Sequence, residues 1–148
     1  MVAPLRLTPE VARERARKAA EVLAADPRVL LVFLFGSTVD PGRQVVRDID
    51  LAVWTEPPLP LYELLDLRAD AIEGAGPGLD LVPLNSAPIV LAHEVAKTGE
   101  CLYASDPELR VEFVCKALRE YWDWKPFLDV QWRYAGERLE ARRHGSAG

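Results

Sequence analysis

Two aspartates at the start of an apolar run constrain the fold and function of this chain more than any other feature. Residues 49–54 (IDLAVW) are typical of a buried strand, yet Asp48 stands directly before them and Asp50 lies inside them. Aspartate is rare in strands, and its carboxylate is costly to bury without a partner. A bound cation is the simplest partner for two such carboxylates. This stretch therefore predicts a metal site.

A glycine-serine pair ends the preceding apolar run. Residues 29–35 (VLLVFLF) are rich in β-branched and aromatic side chains, which predicts a buried strand that stops at Gly36 and Ser37. Glycine lets the backbone approach a ligand closely, and free N–H groups at a strand-to-helix turn bind anions. We predict that this turn binds the phosphates of a nucleotide whose metal is held by the aspartates.

The spacing of the acids suggests how they share an ion. Side chains alternate along a strand, so Asp48 and Asp50 should point to one face, roughly 6 to 7 Å apart. A third apolar run, residues 79–84 (LDLVPL), carries Asp80, which could join them from a neighbouring strand. Mg²⁺ prefers oxygen ligands, and three such acids can hold two ions ~3.5 to 4 Å apart.

Composition excludes several classes of protein. A chain of 148 residues fits a single domain, residues 1–148, and its net charge of −5 argues against binding nucleic acid through bulk electrostatics. No apolar stretch reaches the ~18 residues of a membrane span, and no signal-peptide pattern opens the chain. Cys101 and Cys115 lack metal-ligand spacing, so we expect free thiols in a cytoplasmic protein.

Helical patterns alternate with the strand patterns. We predict an N-terminal helix over residues 8–26, capped by Thr8, further helices over 61–72 and 88–97, a short strand at 101–103, and C-terminal helices over 106–143. Pro83 suggests that the third strand lies near a sheet edge or ends early. The fold class is therefore α+β, close to α/β, with a small mixed sheet of about four strands and flanking helices.

The C-terminal region carries a sustained apolar stripe, with Pro126 inside it. Eight residues recur at spacings of three and four: Phe113, Ala117, Tyr121, Trp124, Leu128, Trp132, Ala135 and Leu139. We expect a kink or break at Pro126 and a disordered tail over 142–148. Trp122 and Phe127 lie off the stripe, so they either complete the core or form a face for a partner or a homodimer. His93 is interpreted as structural.

The Gly36-Ser37 pair, the ten residues 38–47 and the triplet Asp48-Ile49-Asp50 together resemble a family signature. It is that of the minimal nucleotidyltransferases (MNT proteins), in the DNA polymerase β-like nucleotidyltransferase superfamily. The resemblance extends through residues 79–85 and 99–103 and so covers a core of about residues 29–104. It implies the nucleotidyltransferase fold.

The resemblance also implies a chemistry and a partner. Similar proteins transfer AMP from ATP to a hydroxyl and release pyrophosphate. In this chain Asp48 and Asp50 would bind two Mg²⁺ ions, Asp80 would complete the second site and help to deprotonate the acceptor, and Gly36 and Ser37 would hold the β- and γ-phosphates. Many such proteins are antitoxins that modify a tyrosine of a HEPN-domain ribonuclease toxin, or simply mask that toxin.

Two departures from the family pattern leave alternatives open. Asp40 stands where relatives often carry a phosphate-facing arginine, and Arg47 stands where serine is typical. Arg43 could replace the missing arginine, and Arg47 could pair with the triphosphate. The first alternative is a catalytically weak or inactive protein of the same fold that neutralises a partner by binding. The second is a small-molecule nucleotidyltransferase of the antibiotic-modifying kind.

Overall fold

The sheet has four strands and mixed direction. The structure is a computed structural model that describes residues 6–145. Strand β1 is central: it pairs antiparallel with β2 and with β4, while β2 pairs parallel with β3, giving the order β3-β2-β1-β4. The strands are β1 Val29–Phe35, β2 Ile49–Thr55, β3 Leu79–Pro83 and β4 Glu100–Ala104. The predicted small mixed sheet is confirmed.

Helices connect the strands and cover both faces of the sheet. The four α-helices are α1 Pro9–Ala24, α2 Leu61–Ala75, α3 Ile89–Thr98 and α4 Pro107–Gly145. Short 3₁₀ turns follow β1 at Gly36–Val39 and β3 at Leu84–Ser86. Within the described part of the chain, no helix is long and apolar enough to cross a membrane. Cys101 and Cys115 are free thiols, as expected.

The side chains of β1 are buried on both faces, which explains its unbroken apolar sequence. Val32 and Leu34 pack with the core formed by α1 and α2, whereas Phe33 and Phe35 pack with residues of α3 and α4. Alternation along the strand sends successive side chains into these two layers. The chain is therefore a three-layer structure, with the sheet between two pairs of helices.

Helix α1 begins where the sequence predicts. The Thr8 hydroxyl accepts a hydrogen bond from the backbone N–H of Val11 at 3.3 Å, and Pro9 occupies the first turn. The helix ends at Ala24, two residues before the predicted end. Its buried side is built mostly from alanines, which allow a close approach to α2; a side chain at Gly74 of α2 would collide with Val22.

Strand β3 is an edge strand that ends at Pro83, as expected from the proline. Asn85 then takes over the pairing with β2. Its side-chain amide donates to the carbonyl of Thr55 at 2.8 Å, and its side-chain oxygen accepts from the N–H of Thr55 at 3.1 Å. One side chain thus satisfies both backbone groups of a buried residue beyond the end of β3.

Helix α4 corrects two expectations. The predicted break at Pro126 is wrong, because α4 continues without interruption from Pro107 to Gly145, and the alternative of a kink at Pro126 stays a prediction. A proline removes one intrahelical hydrogen bond, and the remaining bonds of a 39-residue helix persist on both sides of it. The predicted disorder from residue 142 is also wrong as far as Gly145, since this end is rich in strong helix formers. Residues 146–148 lie outside the described residues.

Candidate active site

Strand pairing brings two of the predicted acids side by side. In the parallel register of β2 and β3, Asp50 is the partner of Asp80. Partners on adjacent strands point to the same face, and adjacent strands lie about 4.8 Å apart. The neighbours Ile49 and Leu79 pack with α1 and α2, so Asp50 and Asp80 face the α3 side of the sheet. This confirms that the two strands adjoin with their acids on one face.

Other carboxylates surround the Asp50 side chain. Burial raises the pKa of the half-buried Asp50 carboxyl, and the nearby carboxylates of Asp80, Asp48 and Glu94 raise it further. Among the residues that the structure describes, neither Asp48 nor Asp50 has an ion-pair partner. Negative charge is therefore concentrated at this edge of the sheet, where Asp80 has an ion-pair partner in Arg68 at 3.8 Å. A cation would relieve this repulsion.

These acids fit a metal that arrives with a nucleotide. Over residues 6–145, no three acidic, histidine or cysteine side chains are drawn together tightly enough to form a complete metal site. Mg²⁺ is commonly held by one or two carboxylates, with substrate phosphates and water as the other ligands. The oxygen donors of Asp48 and Asp50, with Asp80 beside them, suit a magnesium ion of this kind.

The glycine-serine turn lies directly against the acids. Gly36 has a φ of +77°, and a Cβ at this position would overlap the Oδ2 atom of Asp50. The hydroxyl of Ser37 donates to the backbone carbonyl of Asp48 at 3.5 Å. The buried hydroxyl of the next residue, Thr38, has no hydrogen-bond partner within residues 6–145. The predicted phosphate turn and the predicted metal ligands are therefore in contact.

The loop between the turn and β2 is anchored by contacts with the segment before α1 and within the loop itself. Val46 is fully buried, and its backbone exchanges two hydrogen bonds with Leu7, of 2.8 and 2.9 Å. Asp40 folds back on its own loop: it accepts from the N–H of Gly42 at 3.0 Å and lies 3.8 Å from Arg43. The side chain of Arg43 thus faces Asp40, and Arg47 is exposed.

Two residues that the sequence analysis did not assign to the site belong to its surroundings. Arg68 of α2 donates through Nε to the carbonyl of Leu79 at 2.7 Å, and its Nη2 lies 3.8 Å from Oδ1 of Asp80. Glu94 of α3 contributes a third carboxylate near Asp50, after Asp80 and Asp48. The available signal was an arginine at helical spacing within the apolar stripe of α2; Glu94 gave no signal.

Comparison with protein families decides the identity of this fold. The model of the polymerase beta nucleotidyltransferase family matches residues 17–108. This chain belongs to that family. The matched residues of this nucleotidyltransferase include all four strands, the glycine-serine turn and the three aspartates. The expected fold is confirmed.

Solved structures extend the comparison to MNT proteins. A toxin–antitoxin complex with AMP-PNP contains a chain 25% identical to this nucleotidyltransferase, with a TM-score of 0.66, covering 77% of this chain and 95% of that one. A tri-AMPylated Shewanella oneidensis HEPN toxin in complex with MNT antitoxin gives 25% identity, a TM-score of 0.58, and coverage of 80% and 96%. A mutant MntA–HpeT toxin–antitoxin complex gives 27% identity, a TM-score of 0.64, and coverage of 76% and 93%. No curated protein matches this sequence.

Proposed function

We propose that this nucleotidyltransferase transfers AMP from ATP to a tyrosine hydroxyl of a HEPN-domain toxin and acts as its antitoxin. The observation that carries this proposal is the contact between the Gly36-Ser37 turn and the Asp50 carboxylate, with Asp80 on the adjoining strand. A phosphate-binding element and metal-binding carboxylates are thus adjacent, as phosphoryl transfer requires. The AMPylated toxin and the AMP-PNP complex among the similar structures support the choice of nucleotide and partner.

The residues of the site have three roles in the proposed reaction: phosphate binding, metal binding and proton transfer. Backbone N–H groups of Gly36 and Ser37 would bind the β- and γ-phosphates. Asp48, Asp50 and Asp80 would hold magnesium, two ions in the complete arrangement, and the bound metal would neutralise the charge that develops on the phosphates. The acceptor oxygen would form a bond to the α-phosphorus while the bond to pyrophosphate breaks. Asp80 would take the proton of the acceptor hydroxyl.

Arg68 and Arg47 would support these roles. The Nε of Arg68 is fixed on the carbonyl of Leu79, so its guanidinium is positioned beside Asp80 and can orient that carboxylate. Arg47 is exposed and directly precedes Asp48, where it can reach a bound triphosphate. We assign Arg43 a secondary role in binding the phosphates, because its guanidinium would first have to separate from Asp40.

One observation favours a second candidate function, in which the protein neutralises its partner by binding alone. Asp40 directly follows the Gly36–Val39 turn, and its exposed carboxylate is paired only with the exposed Arg43 of the same loop among residues 6–145. Repulsion from this acid would weaken nucleotide binding. Turnover would then be slow or absent, and the antitoxin would act by covering the surface of the toxin.

Labelled transfer distinguishes the two functions. The protein is incubated with Mg²⁺, ATP labelled at the α-phosphate, and the HEPN-domain protein encoded beside it. We expect label on a partner tyrosine, lost with Asp48→Asn and retained with Asp66→Asn, a matched control on the exposed side of α2. A stable complex without label in the wild type would support the binding function. Absence of both label and complex would contradict both.

A further inference from the structure

The second half of α4 is a helix with little cover. Between residues 122 and 143 only Lys125, Leu128 and Ala135 are half-buried, and all other side chains are exposed. Seven of the exposed side chains are large and apolar, and Trp132 alone is 75% exposed. Helices in proteins gain most of their stability from packing of an apolar face, and a concentration of exposed aromatic residues marks an interaction site. This part of α4 also lies beyond the family match at residues 17–108.

One face of α4 is apolar enough for a protein interface. Trp124, Trp132 and Leu139 recur at helical spacing with the half-buried Leu128 and Ala135, so these five residues lie on one face, and the first three are 51%, 75% and 63% exposed. A buried aromatic side chain covers about 150–250 Å², so this face exposes on the order of 400 Å² of apolar surface. That is about half of the area that one partner contributes to an interface of standard size, and an apolar patch of this size marks an interaction site.

A groove lies along this part of α4, beside α3. A cavity of about 860 Å³ opens where α4 leaves the domain, lined by Val90 of α3 and by Leu128, Trp132 and Ala135 of α4. A smaller hollow of about 290 Å³ continues along α4 at Ala135, Leu139 and Arg142. An α-helix with its side chains is about 10 Å across and could lie in a groove of this kind.

The charges on α4 indicate what fills the groove. Residues 120–131 carry three acids against one lysine, whereas residues 132–143 carry four arginines against two glutamates. The two halves of the segment therefore have opposite net charge. An antiparallel copy of the same helix would place each acidic half beside a basic half, and two-fold pairing of identical surfaces is the commonest form of oligomer.

We propose that a second copy of this chain covers α4, with the two helices antiparallel about a two-fold axis near residues 131 and 132. The groove beside Val90 receives the helix of the other copy, and burial of Trp132 and its apolar neighbours provides most of the binding free energy. Attraction between the oppositely charged halves sets the antiparallel direction.

A charge-complementation experiment tests the proposal on the full chain. Arg138→Glu with Arg142→Glu makes both halves acidic, and Asp123→Lys with Asp129→Lys makes both halves basic. Sedimentation velocity should show a wild-type dimer at about 10 µM, since standard-size interfaces bind in the micromolar range or tighter. Each double variant should dimerise at least tenfold more weakly. An equimolar mixture of the two should form heterodimers of wild-type mass.

Controls separate association from folding. Arg17→Glu with Lys18→Glu changes the charge of the exposed side of α1 and should leave the dimer unchanged, and circular dichroism should show equal helix content in every variant. The proposal is overturned if the wild type stays monomeric at about 100 µM, well above micromolar affinity. It is equally overturned if the mixed variants fail to associate, or if the HEPN-domain protein alone protects residues 122–143 from hydrogen exchange.

Discussion

The carboxylate of Asp50 occupies the space that a side chain at Gly36 would need. Gly36 is in the left-handed region, with a φ of +77°, and an added Cβ would overlap Oδ2 of Asp50. The glycine therefore allows the end of β1 and the start of β2 to approach each other closely. This relationship makes the turn a structural part of the acidic site.

Gly36→Ala should damage both stability and ligand binding. The left-handed backbone strain costs about 1–3 kcal/mol, and the overlap displaces Asp50. Thermal unfolding should show a Tm lower by about 3–10 °C, and the increase in Tm with Mg²⁺ and ATP should disappear. Gly42→Ala in the same loop is the control, because its Cβ would meet its nearest atom, Asp40 Oδ1, at an ordinary 3.6 Å. A normal nucleotide response in Gly36→Ala would contradict this role.

Asp50→Asn should stabilise the metal-free protein increasingly as the pH rises. Burial, with the like charges around it, raises the pKa of Asp50 in the folded state, so the folded protein holds this proton more tightly than the unfolded chain. The stabilising contribution of protonated Asp50 is present below the unfolded pKa near 3.9, and it is lost as the pH rises through the folded pKa. Asparagine keeps the neutral form throughout.

The pH dependence can be measured as a difference in Tm. In EDTA, the Tm of Asp50→Asn minus that of wild type should widen from about pH 4 upward and level off above the folded pKa. Asp66→Asn on the exposed side of α2 is the matched control. A difference that stays constant across this range would show that Asp50 is not in a repulsive site. Transfer activity should be lost in Asp50→Asn at every pH.

Arg68→Gln should reduce transfer without removing nucleotide binding. The substitution removes the Nε bond to the Leu79 carbonyl and the charge beside Asp80, so the carboxylate loses its orientation. Residues that position a metal-binding carboxylate typically contribute 10–100-fold in activity or metal affinity. Steady-state kinetics should show a fall in kcat of at least tenfold with little change in KM for ATP. Arg68→Lys keeps the charge and should recover part of kcat. An equal loss in both variants would indicate a purely structural role.

Asn85→Ala should destabilise the fold. Thr55 is buried, and the alanine variant leaves both its N–H and its carbonyl without the hydrogen bonds that Asn85 supplies. Each unsatisfied buried group costs about 1–3 kcal/mol, so chemical denaturation should show a loss of at least that size. Ser86→Ala, at the next and exposed position, should be nearly neutral. A neutral Asn85→Ala would mean that water replaces both bonds.

Pro126→Ala should strengthen α4. The proline lies inside a continuous helix, where it costs about 3 kcal/mol relative to alanine. Hydrogen exchange of residues 121–130 should slow, and helix content at raised temperature should increase. Gly136→Ala offers a scaled comparison, because its Cβ would enter open space and the expected gain is only about 1 kcal/mol. Loss of helix content in Pro126→Ala would contradict the continuous helix.

Local patterns in the sequence predicted the elements of this fold and most of the candidate site. Apolar runs, the Thr8 cap and Pro83 each report burial or backbone geometry within a few residues, and they were confirmed for that reason. Asp48 and Asp50 were recognisable because a carboxylate entering an apolar strand needs an explanation. The sequence pattern predicts a break of α4 that the structure lacks, because the hydrogen bonds on both sides of Pro126 hold a long helix together despite the local cost of one proline.

The sequence by itself indicated Asp48 and Asp50 as candidate ligands, because carboxylates at the start of an apolar strand are unusual. Only the tertiary structure decided which distant residues join them. The parallel register places Asp80 beside Asp50, and the packing of α2 and α3 brings Arg68 and Glu94 to the same edge. Strand register and helix docking arise from contacts between residues far apart in the chain, and local sequence patterns cannot predict those contacts.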